Sequence, residues 1–226
     1  MKLSDKTLSV LKNFATISDS LLVRKGNIQT TIDLDEVITS EAALVEQFPK
    51  DFGIYNLQQL LANITTLENP EITFEDSYLV LADKNISLKY FYSSPTLLKT
   101  LPSPGELDPV LDKPDVIFEL LQDSFQKLLK IAQLNALTYI KILGVLGLLK
   151  LQAIDVSNDT SNSADVEVGP YTGSDFEAIF KVDNLNKLLP SNYKVTLKND
   201  VMALFTNGDK TMKYFVAVEL PPKKRK

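Results

Sequence analysis

A chain of 226 residues, 44% of them hydrophobic, has the length for two domains of about 100 residues, each with its own core. It contains no cysteine and no histidine, which excludes disulfides, thiolate chemistry, imidazole bases and any zinc site built from those side chains. With 24 basic against 29 acidic residues the formal net charge is −5, so a nucleic-acid binder with an overall positive field is disfavoured and only one with segregated charge remains.

Ser4 reads as the N-cap of a first helix in which Leu8, Leu11 and Phe14 form the buried stripe. Lys2, Lys6, Ser9 and Asn13 fall on the opposite stripe, with Lys12 on its shoulder. The stretch "SLLVRKGNIQTTIDL" predicts a hairpin through Lys25-Gly26-Asn27. The acidic run of Asp33, Asp35 and Glu36 reads as a solvated loop or hairpin edge; a metal cluster would call for a second carboxylate motif at matching spacing. Asn56 caps a second helix whose apolar set is Leu57, Leu60, Leu61, Ile64 and Leu67, and whose other face, Gln58, Gln59, Asn63, Thr65 and Thr66, carries no acid. Strands follow in "EITFEDSYLVLAD", with a turn inside it, and in "NISLKYFYS".

Between residues 93 and 114 stand Pro95, Pro102, Pro104, Pro109 and Pro114, the mark of an extended connector. Its leucines, Leu97, Leu98, Leu101 and Leu107, have no reason to be there in a free linker and predict that it lies against the body of the protein. Beyond it "VIFELL" is a strand, and a helix runs from about Ser124 to Gln133 with Phe125, Leu128, Leu129 and Ala132 inward and Gln126, Lys127, Lys130 and Gln133 outward. "TYIKIL" and "LLKLQAIDV" are strands, with Gly144 and Gly147 marking a bend or hairpin, and "SNDTSNSADVEVGPYTGSD" reads as a polar loop. "FEAIFKV" is a strand, Asp183 or Asn184 caps a short helix ending at Pro190, and "YKVTLKN", "VMALFT" and "MKYFVAV" complete a sheet through an Asn207-Gly208 turn.

The two halves echo each other. Lys89-Tyr90-Phe91 returns as Lys213-Tyr214-Phe215, Asn56-Leu57 and Leu60-Leu61 return as Asn184-Leu185 and Leu188-Leu189, and the first helix aligns with Leu128 to Leu143, all in one order. A duplicated domain follows: an α+β chain of two units, 1–93 and 115–226, joined by a connector at 94–114, each unit with two short helices on a mainly antiparallel sheet.

No catalytic constellation and no Gly-rich phosphate loop is present, so neither enzyme activity nor a cofactor is expected. The opening "MKLSDKTLSV" lacks an apolar signal core and "ILGVLGLLKL" is too short to span a bilayer, so an intracellular protein without membrane contact is expected. Across the predicted helices the only acids are Asp5, Asp123 and Asp183, all near N-termini where the helix dipole favours them. The outward faces are therefore neutral to basic on an acidic body. The terminal run Lys223, Lys224, Arg225 and Lys226 is assigned no role, a frayed end being the commonest reading of such a tail.

The opening "MKLSDKTLSVLKNFATIS", the later "NLNKLLPSNYKVTL" and the duplication resemble the DNA polymerase processivity factors, or sliding clamps, of T-even-type bacteriophages. That resemblance implies the DNA clamp fold in a ring-shaped homotrimer whose helices line a central hole and whose sheets face outward. It implies sequence-independent contact with duplex DNA through Lys2, Lys6, Lys12, Lys127 and Lys130, with Lys187 a weaker candidate. It further implies tethering of the replicative polymerase in the cytoplasm of the infected bacterial host, a clamp loader supplied by other proteins, and contact with the late-transcription machinery and its sigma factor. A hydrophobic site near the connector would receive partner peptides; Leu97, Leu98, Leu101, Leu107, Val218 and Leu220 are the candidates. Asp5 and Gln133 depart from the basic lining that such clamps lead one to expect. The competing readings are a structural or virion protein of duplicated β-rich domains, and an enzyme using Asp33 and Asp35 with a metal ion.

Overall fold

The computed structural model describes residues 1–158 and 160–219. It divides into two compact units, Met1–Glu106 and Leu107–Lys226. Among the described residues no helix is long and apolar enough to cross a membrane.

Unit 1 begins with α1 (Asp5–Ile17), capped by Ser4, whose hydroxyl accepts the Thr7 N–H. The buried residues are Thr7, Val10, Leu11, Asn13, Phe14, Ala15 and Ile17. This corrects two expectations: Asn13 is inside and Leu8 is only half-buried, while Lys12 is exposed as expected. The reason is that α1 packs against two partners, a second helix and a long strand, so its buried stripe is wider than one row of leucines and centres on Val10, Phe14 and Ile17.

Four strands follow: β1 (Leu21–Val23), β2 (Gly26–Ile32), β3 (Ile38–Phe48) and β4 (Phe52–Ile54). The expected hairpin through Lys25-Gly26-Asn27 does not form; β1 pairs antiparallel with β4, and β2 with β3. Gly26, at φ +102°, swings the chain out of the β1 line, a conformation that costs glycine nothing. The fully buried Gln29 side chain takes over the lost ladder: its Oε1 accepts the Arg24 N–H and its Nε2 donates to the Arg24 carbonyl, both at 2.8 Å.

Helix α2 (Leu57–Thr66) matches the reading of its sequence, with Asn56 accepting the Gln59 N–H and Leu57, Leu60, Leu61, Ile64 and Leu67 buried. A meander of β5 (Glu71–Phe74), β6 (Tyr78–Ala82) and β7 (Ser87–Phe91) completes the unit.

In unit 2, β8 (Val116–Leu120) leads to α3 (Gln122–Leu134), whose Phe125, Leu128, Leu129 and Ala132 are buried as expected. Then come β9 (Tyr139–Val145), β10 (Leu148–Ile154), β11 (Ala164–Pro170) and β12 (Phe176–Lys181), ordered β11-β10-β9-β12. The β9–β10 hairpin closes on Leu146 and Gly147, with φ of 52° and 81°, the two positive values of a type I′ turn. Strand β11 lies inside the stretch expected to be loop: its Val166 and Val168 alternate with the exposed Asp165 and Glu167, a pattern hidden by the turn formers on either side.

The next helix, α4 (Val182–Leu185), is a single turn that starts after Lys181 and stops well short of Pro190; Asn184, expected as a cap, is buried within it. The last meander is β13 (Tyr193–Lys198), β14 (Met202–Asn207) and β15 (Met212–Ala217), with β8 on the outer side of β13. Its final turn places the positive φ at Lys210 rather than at Gly208, and the Asn207 side chain accepts the Met212 N–H to hold it.

The plan of unit 1 thus recurs in unit 2: helix, two pairs of strands, helix, meander. In both, the Lys-Tyr-Phe triplet occupies the last strand, and its tyrosine reaches back to the backbone flanking the second helix. The Tyr90 hydroxyl donates to the Asn56 carbonyl, and the Tyr214 hydroxyl accepts the Leu189 N–H.

Candidate nucleic-acid interface

Lys2, Lys6 and Lys12 are exposed on or just before α1, and Lys127 and Lys130 are exposed on α3. Lys187 lies past the end of α4 and is half-buried. Several strand lysines are held by acids. Lys141 pairs with Glu177 at 2.7 Å and Lys150 with Asp165 at 3.0 Å, and Lys213 pairs with Asp108 at 2.9 Å. Among the described residues Lys12, Lys127 and Lys130 meet no carboxylate. Exposed ion pairs of this kind contribute only about 0.2–1 kcal/mol each, but they cancel the charge of Lys141, Lys150 and Lys213 and leave that of Lys12, Lys127 and Lys130 facing outward.

Acids do stand on these helices, at the ends where the dipole holds them: Asp5 on α1 and Asp123 on α3, both exposed in the first turn. The outer face of α2 is Gln58, Gln59, Ala62, Thr65 and Thr66, with no charge at all. On α3 the sequence analysis missed two apolar residues on the outer side, Ile131 and Leu134.

The candidate partner residues fare unevenly. Leu97 is 70% exposed, Leu98 is half-buried and Leu101 is buried in unit 1; Leu107 and Val218 are half-buried in unit 2. Leu220 and the basic tail lie outside the described residues. Leu101 is held in place by its own backbone: Arg24 donates to the Leu101 carbonyl at 2.9 Å and to the Pro102 carbonyl at 2.8 Å, and the Gly105 N–H bonds Glu41 at 2.7 Å.

Lys99 ties the start of this segment to the turn after β2. Its ammonium donates to the carbonyls of Asp33 and Leu34 and pairs with Glu36 at 3.3 Å. Leu34, 85% exposed, is thereby set beside the Leu97–Lys99 stretch, and the only signal for it was a leucine stranded among acids in "DLDE". Asp33 is not the solvated residue expected: it is buried, and its carboxylate accepts the Val37 and Ile38 N–H groups to shape the turn. Among the described residues no group of three or more acidic side chains is placed to hold a metal ion.

Residues 2–92 match the family model described as DNA polymerase processivity factor. The sliding clamp of Vibrio phage KVP40 is 27% identical over 97% of this chain and 99% of its own, and that of Escherichia phage RB69 is 25% identical over 97% of each. The chain resembles the phage sliding clamps over nearly its whole length. Its fold agrees: A. fulgidus PCNA, solved with the C-terminal region of FEN-1, superposes with a TM-score of 0.70 over 95% of each chain at 14% identity. Both units are accordingly clamp domains, and the meander that ends each of them is the element in which the duplication was first visible.

Proposed function

We propose that this chain is a sliding clamp that closes with two further copies into a ring around duplex DNA and tethers the phage replicative polymerase for processive synthesis, as a non-enzymatic factor in the host cytoplasm. The observation that carries this reading is that Lys12 of α1 and Lys130 of α3, at equivalent places in the repeat, and Lys127 beside the latter are exposed and among the described residues meet no acid, whereas Lys141, Lys150 and Lys213 of the sheets are held in ion pairs. A ring retains DNA by topology, so its contacts need only be few, phosphate-directed and sequence-blind, which an acidic chain can supply. In this reading the domains are 1–93 and 115–226, and the connector 94–114 lies in unit 1 up to Glu106 and in unit 2 from Leu107.

Ring closure would join β7 of one copy to β11 of the next, since each ends its sheet and an antiparallel sheet must cover its edges. Charge supports the match: β7 exposes Lys89, and β11 exposes Glu167. Partner peptides of the polymerase, the loader and the late-transcription sigma factor would dock on the exposed Leu34 and Leu97 with the half-buried Leu98.

The test is primer extension with the cognate polymerase and loader. Lys12→Glu with Lys130→Glu is expected to shorten products while light scattering still reports three chains per particle. Full-length products from that variant would remove α1 and α3 from the DNA interface, and a persistent monomer at every concentration would remove the ring.

A further inference from the structure

Along β3 the even-numbered residues point to the core, and Ala42, Leu44 and Phe48 are buried there. Glu46 occupies an inward place in the same series, where alternation demands an apolar side chain. A carboxylate persists in such a position only where donors meet it. The donors come from α1: the Ser4 N–H bonds Glu46 Oε1 at 2.6 Å, and the Thr7 hydroxyl, which accepts the Val45 N–H at 3.3 Å, also bonds the carboxylate. Burial alone would raise the Glu46 carboxyl, but the hydrogen bonds from Thr7 and Ser4 outweigh it and hold the group below the ordinary glutamate value. Oε2 is buried with no hydrogen-bond partner, and besides its own backbone N–H the donors that orient the group come from Ser4 and Thr7.

Unit 2 has a neutral counterpart. The Gln122 N–H at the start of α3 bonds Asn192 Oδ1 at 2.8 Å. Among the described residues this capping from a distant segment belongs to α1 and α3, the two lysine-bearing helices; α2 is capped locally by Asn56 and α4 has no side-chain cap.

We infer that Glu46 is a positioning residue for DNA contact: it pins the first turn of α1 to β3 and so fixes the direction of Lys6 and of the helix that carries Lys12. The inference rests on the reading of α1 as a DNA-facing helix. A first turn is the part of a helix that frays most readily, and a lysine on a frayed turn has no defined place against a phosphate.

Amide hydrogen exchange on the full chain tests the first link, and primer extension with the cognate polymerase and loader tests the second. Glu46→Ala is expected to speed exchange at residues 4–8 roughly five- to tenfold, the scale of a lost cap, while residues 122–126 are unchanged and extension products shorten. Glu46→Gln, which keeps the acceptor oxygen, is expected to restore slow exchange and product length. Should Glu46→Ala fail to fold, Glu46→Leu, which restores the apolar alternation, carries the same comparison. Unchanged exchange at residues 4–8 would overturn the positioning role. Fast exchange with full-length products, in a system where Lys12→Glu shortens them, would overturn its link to DNA. Full-length products from Lys12→Glu would overturn instead the reading of α1 on which it rests.

Discussion

In unit 2 the strands β9 and β10 turn directly into one another across Leu146 and Gly147, whereas in unit 1 their counterparts β1 and β2 part at Arg24-Lys25-Gly26 and never pair. Every backbone donor and acceptor buried by folding has to be met somewhere, so a broken ladder demands a substitute. Gln29 is that substitute, presenting one amide to both backbone groups of Arg24. The break then becomes useful. With its own backbone satisfied, Arg24 directs its guanidinium at the carbonyls of Leu101 and Pro102, and the proline-rich segment is fastened to unit 1. One plan, copied twice, serves as an uninterrupted sheet in one unit and as a mooring for a connector in the other.

The substitution that breaks this comparison most strongly is Gln29→Leu. It leaves the Arg24 N–H and carbonyl without partners, at about 1–3 kcal/mol for each group left buried. Urea unfolding is expected to show unit 1 losing stability on that scale while unit 2 keeps its midpoint. Arg24→Ala removes a charged donor from two carbonyls, a loss of about 1.5–3 kcal/mol, and is expected to admit proteolysis between residues 97 and 106.

The tyrosines of the repeated triplet separate the units more finely. Tyr214 is fully buried and Tyr90 only half so; Tyr214→Phe strands the Leu189 N–H and should cost about 1–3 kcal/mol, and Tyr90→Phe well under that. Burial also raises the pKa of Tyr193 and Tyr214 above the ordinary phenol value. For groups shifted this way the unfolded chain ionises first, so their contribution is complete below about pH 10 and is lost as pH climbs toward the folded value. Unit 2 is therefore expected to unfold in alkali, followed by tyrosinate absorbance, with Tyr92 of unit 1, pushed up to about 12 by burial with Glu75 and Asp76 beside it, ionising separately. The smallest effect expected is a gain: Leu146→Asn relieves a positive φ in an exposed leucine and should stabilise the hairpin of unit 2 by up to about 1 kcal/mol, seen as a raised melting temperature.

Local pattern carried much of the fold. The caps Ser4 and Asn56, the five-residue apolar series of α2, the buried set of α3 and the three strands of each meander follow from spacing and turn chemistry. Where a residue's surroundings come from remote segments, the pattern misled. Asn13 is inside because α1 has two packing partners; β11 looked like loop because an edge strand keeps its acids in water; α4 stopped early because the chain turns to meet the meander. Of the candidate site, the exposed lysines of α1 and α3 were legible from helical periodicity, but Leu34, Ile131 and Leu134 were not, since an isolated exposed leucine has no signature until its neighbours are known.

What the amino-acid sequence determined by itself was the duplication, the helices and their outward lysines, because repeats and periodicities are properties of order along the chain. What only the tertiary structure decided was which strands pair across the break at Gly26, where Arg24 sends its charge, and why a glutamate sits on the core side of β3. Those choices depend on hydrogen-bond partners brought together from residues 24, 46 and 101, and no spacing along a chain encodes which distant donor will meet which acceptor.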